Sequence, residues 1–302
     1  MKTERVQVIV NPYSGRWKAR AALPAVEESL RGLGLAFDLA VTDAPGQGIE
    51  MARQAVGGGY DAVVAVGGDS TVSEVLNGLV QAAGESPEAV AGPLGVVPLG
   101  SANDLADMLG LSRDVAAACR CIREGRSRVI DVGWVNGRYF GNNSAVGLEP
   151  MVTLRQSRME RLKGTPRYVL AALLTILRHR DWQMAVEWDG GRREGPTALV
   201  SVGNSPRTGG VFFMTPRAEL DDGQLDFILG GGMSRLRLLR LLPATFDGRH
   251  VDEPEITYGR TMRLTVACQP PTPIQADGEL FDLAATRIEY RVLPRKLRVI
   301  VS

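Results

Sequence analysis

The sequence predicts an α/β N-terminal domain built on a mostly parallel sheet, followed by a β-rich second domain. Three observations lead there. Up to about residue 128, short apolar runs alternate with amphipathic stretches, the β-α-β-α order that feeds a sheet covered on both faces. Those early runs end in small and hydroxyl residues, where ligands bind beyond the carboxyl ends of parallel strands. After Arg128 the texture changes to closely spaced apolar runs joined by pairs such as Asn136-Gly137, Asp189-Gly190 and Asp222-Gly223, which favour hairpins and tight turns.

In the first domain, residues 1–128, Val6–Val10, Phe37–Thr42, Ala62–Val66 and Leu94–Val97 read as strands. Helical spacing appears over Trp17–Leu33, Gly48–Val56, Thr71–Ala83, Asn103–Leu109 and Asp114–Glu124. In the second, residues 129–302, strands are expected at Val129–Val135, Arg138–Ala145, Gln183–Trp188, Thr197–Val202 and Leu225–Leu229. Thr261–Ala267, Arg287–Val292 and Leu297–Val301 continue them, and helical insertions are expected at Met151–Arg180 and Ser234–Ala244.

Composition narrows the function classes. A formal net charge of +1 gives no bulk attraction for nucleic acid. Cys119, Cys121 and Cys268 form no CxxC pair, which suits free thiols in a reducing cytoplasm. Met1–Arg5 leads straight into a strand and does not read as a signal peptide. The apolar run Tyr168–Leu177 falls well short of the ~20 residues of a membrane span. A cytoplasmic protein with at most peripheral membrane contact is expected. Oligomeric state is left open, a homodimer included.

The most informative stretch is Ala65-Val66-Gly67-Gly68-Asp69-Ser70-Thr71-Val72-Ser73, a strand end passing into a helix. Glycine lets backbone amides approach a phosphate closely, and the positive end of the following helix points at the same place. Asn11-Pro12-Tyr13-Ser14-Gly15-Arg16 follows the first strand, and Pro98-Leu99-Gly100-Ser101-Ala102-Asn103-Asp104 follows the fourth. Taken singly, the first is an ordinary Pro-Gly turn and Asp104 an ordinary helix cap. Asp131 would end a strand, Asp277-Gly278 would make a hairpin turn, and Asp221-Asp222 would sit in a solvated turn.

Together with Asn204-Ser205-Pro206, Leu220-Asp221-Asp222-Gly223 and Ala276-Asp277-Gly278-Glu279, these segments resemble the diacylglycerol kinase-like lipid kinase family over nearly the whole chain. The resemblance implies an NAD kinase/diacylglycerol kinase-like first domain, a β-sandwich second domain, ATP and magnesium as cofactors, and a lipid hydroxyl as phosphoryl acceptor. It places Asn11, Pro12, Tyr13, Ser14, Gly15, Arg16, Thr42, Gly67, Gly68, Asp69, Ser70, Thr71, Val72, Ser73, Ser101 and Asn103 at the nucleotide. Asp69, Asp104 and Asp131 would anchor a magnesium and water network. Glu279 would be the general base, with Asp277 beside it. Asp222, with the carbonyls of Glu219 and Gln224, would hold a separate structural magnesium. Lys163 matches a lysine that helps bind substrate or phosphate.

One position departs from the family pattern: the glycine after the aspartate is Ser70. Serine there would add strain of roughly 1–2 kcal/mol if φ must be positive, or push a Cβ at the nucleotide. Basic residues among leucines, from Arg155 to Arg180 and at Arg235, Arg237 and Arg240, read as ordinary cationic helix faces or as segments lying on an anionic membrane. The favoured reading is an ATP- and magnesium-dependent lipid kinase, with diacylglycerol the default acceptor. The alternatives are a kinase of a soluble metabolite and a lapsed lipid- or nucleotide-binding protein.

Overall fold

Val6, Val8, Ile9 and Val10 are fully buried, so strand β1 (Arg5–Val10) carries apolar side chains on both faces and belongs inside a sheet. β3 (Ala62–Gly67) is buried along its whole length, whereas β2 (Ala36–Val41) is mostly exposed and takes the edge. The parallel order is β2-β1-β3-β4, with β4 spanning Ala91–Pro98. A computed structural model describes this fold for residues 2–159 and 164–302.

Helices cover both faces of this sheet. From α1 (Ser14–Gly32) and α5 (Val115–Glu124), the side chains of Val26, Leu30, Ala118 and Ile122 join those of Val6, Val8 and Val10 in one core. The helices α2 (Gln47–Ala55) and α3 (Asp69–Ala83) pack against each other. A short helix, α4 (Asp104–Met108), follows β4.

The chain divides into two units, Met1–Val132 with Leu293–Ser302, and Gly133–Val292. The break therefore falls after Val132 rather than 128. The last ten residues belong with the first unit, where Leu297 and Val299 pair in parallel with Ala91 and Leu94. No local pattern says which sheet a terminal apolar run will join; the free edge of β4 decides it.

The second unit is antiparallel. Its strands are the end of β5 (Ser127–Val135), β6 (Arg138–Phe140), β7 (Asn143–Gly147), β8 (Trp182–Trp188), β9 (Gly191–Gly203), β10 (Leu225–Gly231), β11 (Ile256–Thr261), β12 (Arg263–Ala276) and most of β13 (Glu279–Ile300). The expected strand over Arg138–Ala145 is two strands, and the runs at Arg287 and Leu297 are one. Long strands β9 and β12 each pair β8 with one half and β7 with the other, which wraps the sheet round a sandwich core. Alternation on β10 sorts the faces: Phe227 and Leu229 enter that core, while Ile228 faces a second core. Helices α6 (Leu148–Ser157), α7 (Gly164–Ile176) and α8 (Arg235–Leu241) stand in the two stretches where helical insertions were expected. Leu148, Ile176, Leu238 and Leu241 from these helices lie in the second core.

Candidate active site

In the first unit, β1, β2, β3 and β4 all end at one edge, at Val10, Val41, Gly67 and Pro98. The strand order reverses between β1 and β3, the place where open parallel sheets bind ligands. Asn11 Oδ1 accepts the amide of Tyr13 at 3.0 Å. Gly15, Arg16 and Trp17 follow with φ of 58°, 59° and 73°, so three successive residues are left-handed before regular helix begins. Ser14 is the hinge of the site. Its hydroxyl accepts the amide of Gly68 at 3.3 Å and lies 3.1 Å from Thr71 Oγ1.

The glycines serve close loop packing. A Cβ on Gly68 would lie 2.9 Å from the Cα of Gly100, and one on Gly100 would lie 2.4 Å from the Cα of Gly68. The two loops touch backbone to backbone, and no side chain fits between them. Asp69 completes the joint, because its carboxylate accepts the amides of Asn103 at 2.8 Å and Asp104 at 2.6 Å. Asn103, with φ 57°, spends its side-chain amide on both backbone groups of Gly100.

These bonds divide the expected nucleotide residues into two sets. Ser14, Thr42, Gly67, Gly68, Thr71, Val72, Ser73 and Asn103 are buried and build the loops. Thr42 hydrogen-bonds to the carbonyl of Val10 through its own amide. Tyr13, Arg16 and Ser101 are exposed at the rim, and Asn11, Pro12, Gly15, Asp69 and Ser70 are partly exposed. Ser70 sits in the first turn of α3 and has no positive φ, so the strain that a glycine-to-serine change would cause at a left-handed position does not arise.

The expected gathering of Asp69, Asp104 and Asp131 round one magnesium is not seen. Among the described residues, no three acidic, histidine or cysteine side chains come together to hold a metal. Asp69 is committed to two amides. Asp131 is fully buried and accepts the amide of Arg295 at 2.6 Å. A magnesium that keeps its waters and bonds mainly to nucleotide phosphates fits this arrangement; an all-protein cage does not.

In the second unit, Asp277-Gly278 is a two-residue hairpin turn with φ of 48° and 82°, flanked by the paired residues Ala276 and Glu279. Asp and Gly suit these left-handed positions. The Asp277 carboxylate accepts the amides of Gly141 at 2.9 Å, Asn142 at 2.8 Å and Asn143 at 3.2 Å. Burial nevertheless pushes its acid up to about 6, against the pull of those amides. Asp277 therefore ties the turn to the segment before β7, whereas Glu279 is exposed.

Asp222 Oδ1 accepts the amide of Gln224 at 3.0 Å. Its Oδ2 and the Oδ2 of neighbouring Asp226 are buried without hydrogen bonds, and Arg260 approaches at 3.6 Å from each residue and 4.0 Å from Glu219. Two orphaned carboxylate oxygens fit a cation. Asp226 and Arg260 had no sequence signal beyond their charge. Lys163 lies outside the described residues.

An apolar cavity opens in the same unit, lined by side chains such as Val152, Tyr168, Ile176, Phe212, Met233 and Leu241. Glu149 also lines it and is nearly buried. The only hint in the sequence was a lone acid within the apolar stretch from Ala145 to Val152. The cationic helix faces are partly neutralised: Arg237 pairs with Glu253 and Glu255, and Arg235 donates to the carbonyl of His179. Among the described residues, no helix is long and apolar enough to cross a membrane.

Residues 5–135 match the family model for the diacylglycerol kinase catalytic domain, and 143–301 match the YegS C-terminal NAD kinase beta sandwich-like domain. The diacylglycerol kinase of Bacillus subtilis (strain 168) is 29% identical over 278 residues, 91% of this chain and 90% of that protein. "Probable lipid kinase YegS-like" of Chromohalobacter salexigens is 32% identical over 263 residues, 86% of this chain and 83% of its own. A solved diacylglycerol kinase structure from Bacillus anthracis str. Sterne superposes with a TM-score of 0.74 at 21% identity. It covers 100% of this chain and 98% of its own, a likeness of fold.

Proposed function

The chain belongs to the diacylglycerol kinase-like lipid kinase family, and on that premise we propose that it transfers the γ-phosphoryl group of ATP to a hydroxyl of a glycerolipid, with diacylglycerol as the default acceptor. The observation that carries the acceptor class is the apolar cavity of the second unit. A water-soluble metabolite would gain nothing from walls of leucine, phenylalanine and methionine, whereas an acyl chain is stabilised by about 0.8 kcal/mol per buried methylene.

Phosphoryl transfer asks the protein chiefly for positioning and charge stabilisation. The Ser14–Gly68–Thr71 contacts and the Asp69 clamp hold the loops rigid, and the first turn of α3 offers backbone amides to the nucleotide phosphates. Magnesium, where bound, neutralises charge on the transferring group. Glu279 takes the proton of the acceptor hydroxyl, and Asp277 fixes the turn that carries it. Exposed Leu177 and Leu236 support shallow contact with a membrane surface.

The test is transfer of labelled γ-phosphate in mixed micelles containing diacylglycerol, monoacylglycerol, sphingoid base, ceramide or polyprenol, with a soluble alcohol as comparison. Magnesium-dependent labelling of a glycerolipid is expected. Labelling of the soluble alcohol alone would overturn the reading.

A further inference from the structure

Glu149 is nearly buried in the first turn of α6 and lines the apolar cavity. Its Oε1 accepts two side-chain amides, Asn143 Nδ2 at 2.8 Å and Gln275 Nε2 at 3.0 Å. Its Oε2 is buried without a hydrogen bond. The neighbouring Ser201 hydroxyl is also buried; it faces the carboxyl and favours its ionised form, but it falls short of hydrogen-bond geometry to Oε2. Burial pushes the carboxyl up, toward a neutral acid whose Oε1 accepts and whose Oε2–H donates. A buried polar atom without a partner is costly, and in a cavity wall it marks a place where a ligand can supply the missing partner.

The same network runs on to the hairpin. Gln275 Oε1 accepts the amide of Gly278 at 2.7 Å; the Asn143 carbonyl accepts the amide of Asp277, and the Asn143 amide donates to the Asp277 carboxylate. One amide side chain therefore joins Glu149 to the turn that precedes Glu279.

We propose that Glu149 is the specificity-determining residue for the acceptor: its Oε2–H donates to an ester carbonyl of an acyl lipid held in the apolar cavity. This rests on the lipid-kinase reading. A neutral donor selects a carbonyl oxygen. It has no use for an ammonium group, which would need the ionised carboxylate. A lipid whose chains are joined by ether links offers the same apolar body without the carbonyl.

The experiment measures equilibrium binding and phosphorylation of diacylglycerol and of dialkyl-ether glycerol in mixed micelles by the full chain. The expected wild-type result is a preference for the ester of about tenfold or more in both readouts, the scale of one buried hydrogen bond. Glu149→Met should bind and phosphorylate both lipids alike. Glu149→Gln, which keeps an acceptor for Asn143 and Gln275 and a donor for the lipid, should retain the preference; circular dichroism verifies the fold of each variant. Equal binding of ester and ether by the wild type, tighter binding of a sphingoid base, or an ester preference kept in Glu149→Met overturns the inference. Ester-selective binding without phosphorylation of any lipid would overturn the kinase reading and leave the role of Glu149 as a ligand group standing.

Discussion

The carboxylate of Asp277 accepts the backbone amide of Asn142 at 2.8 Å, tying the turn before Glu279 to the start of β7. Two neighbouring amides share the same carboxylate. The acid is nevertheless held up at about 6, against 3.8 for the free group, because burial outweighs the amides. Asp277 thus contributes stability that is fully present below pH 3.8 and is lost as the pH rises through about 6. Urea unfolding between pH 4 and 7 should show stability falling by up to about 3 kcal/mol from this group. Asp277→Asn should flatten that part of the profile, and an unchanged slope in the variant would sink the assignment.

Asp69 bonds two amides of the loop after β4. Asp69→Ala leaves both without their acceptor, so a loss of about 1–3 kcal/mol is expected. ATP affinity should fall with it, because the joined loops lose register. Urea titration and nucleotide binding check the two parts; unchanged stability would mean that the clamp does not matter.

Ser70 lies in ordinary helical backbone. Ser70→Gly therefore relieves no strain and should destabilise by up to about 1 kcal/mol through helix propensity. A stabilised variant would show that the position is strained after all.

Glu279 is exposed, and surface substitutions of this kind usually stay within ~0.5 kcal/mol. Glu279→Gln should lower kcat by about 10²–10⁴ with thermal stability and ATP binding intact. Retained turnover would remove it as the base.

The orphaned oxygens of Asp222 and Asp226 beside Arg260 predict a cation-dependent melting temperature. Magnesium at a hundredfold excess over its dissociation constant should stabilise the wild type by about 2.7 kcal/mol, and Asp222→Asn should abolish the shift. A melting temperature indifferent to magnesium would mean that Arg260 alone neutralises the acids.

The inner parallel strands were legible because a strand buried on both faces must be written as an apolar run, as at Ala62–Gly67. The loops were legible too, since residues such as Gly68 and Gly100 leave no room for a side chain. The Asp277-Gly278 turn could be read for the same reason, its φ values favouring those two residue types.

What those residues do was decided elsewhere. Whether Asp69 holds a metal or clamps amides depends on where Asn103 comes to lie, and whether Leu297–Val301 extends one domain or the other depends on which sheet edge is free. Glu149 is far in the chain from Gln275 and Gly278 and shares no spacing with them; only the pairing of β7 with β12 brings it into their network. The sequence by itself determined the strands, the tight turns and the family, because backbone conformation and burial pattern are local properties. The buried polar bonds and the charge state of each acid came only with the tertiary structure, because both depend on which distant groups replace water.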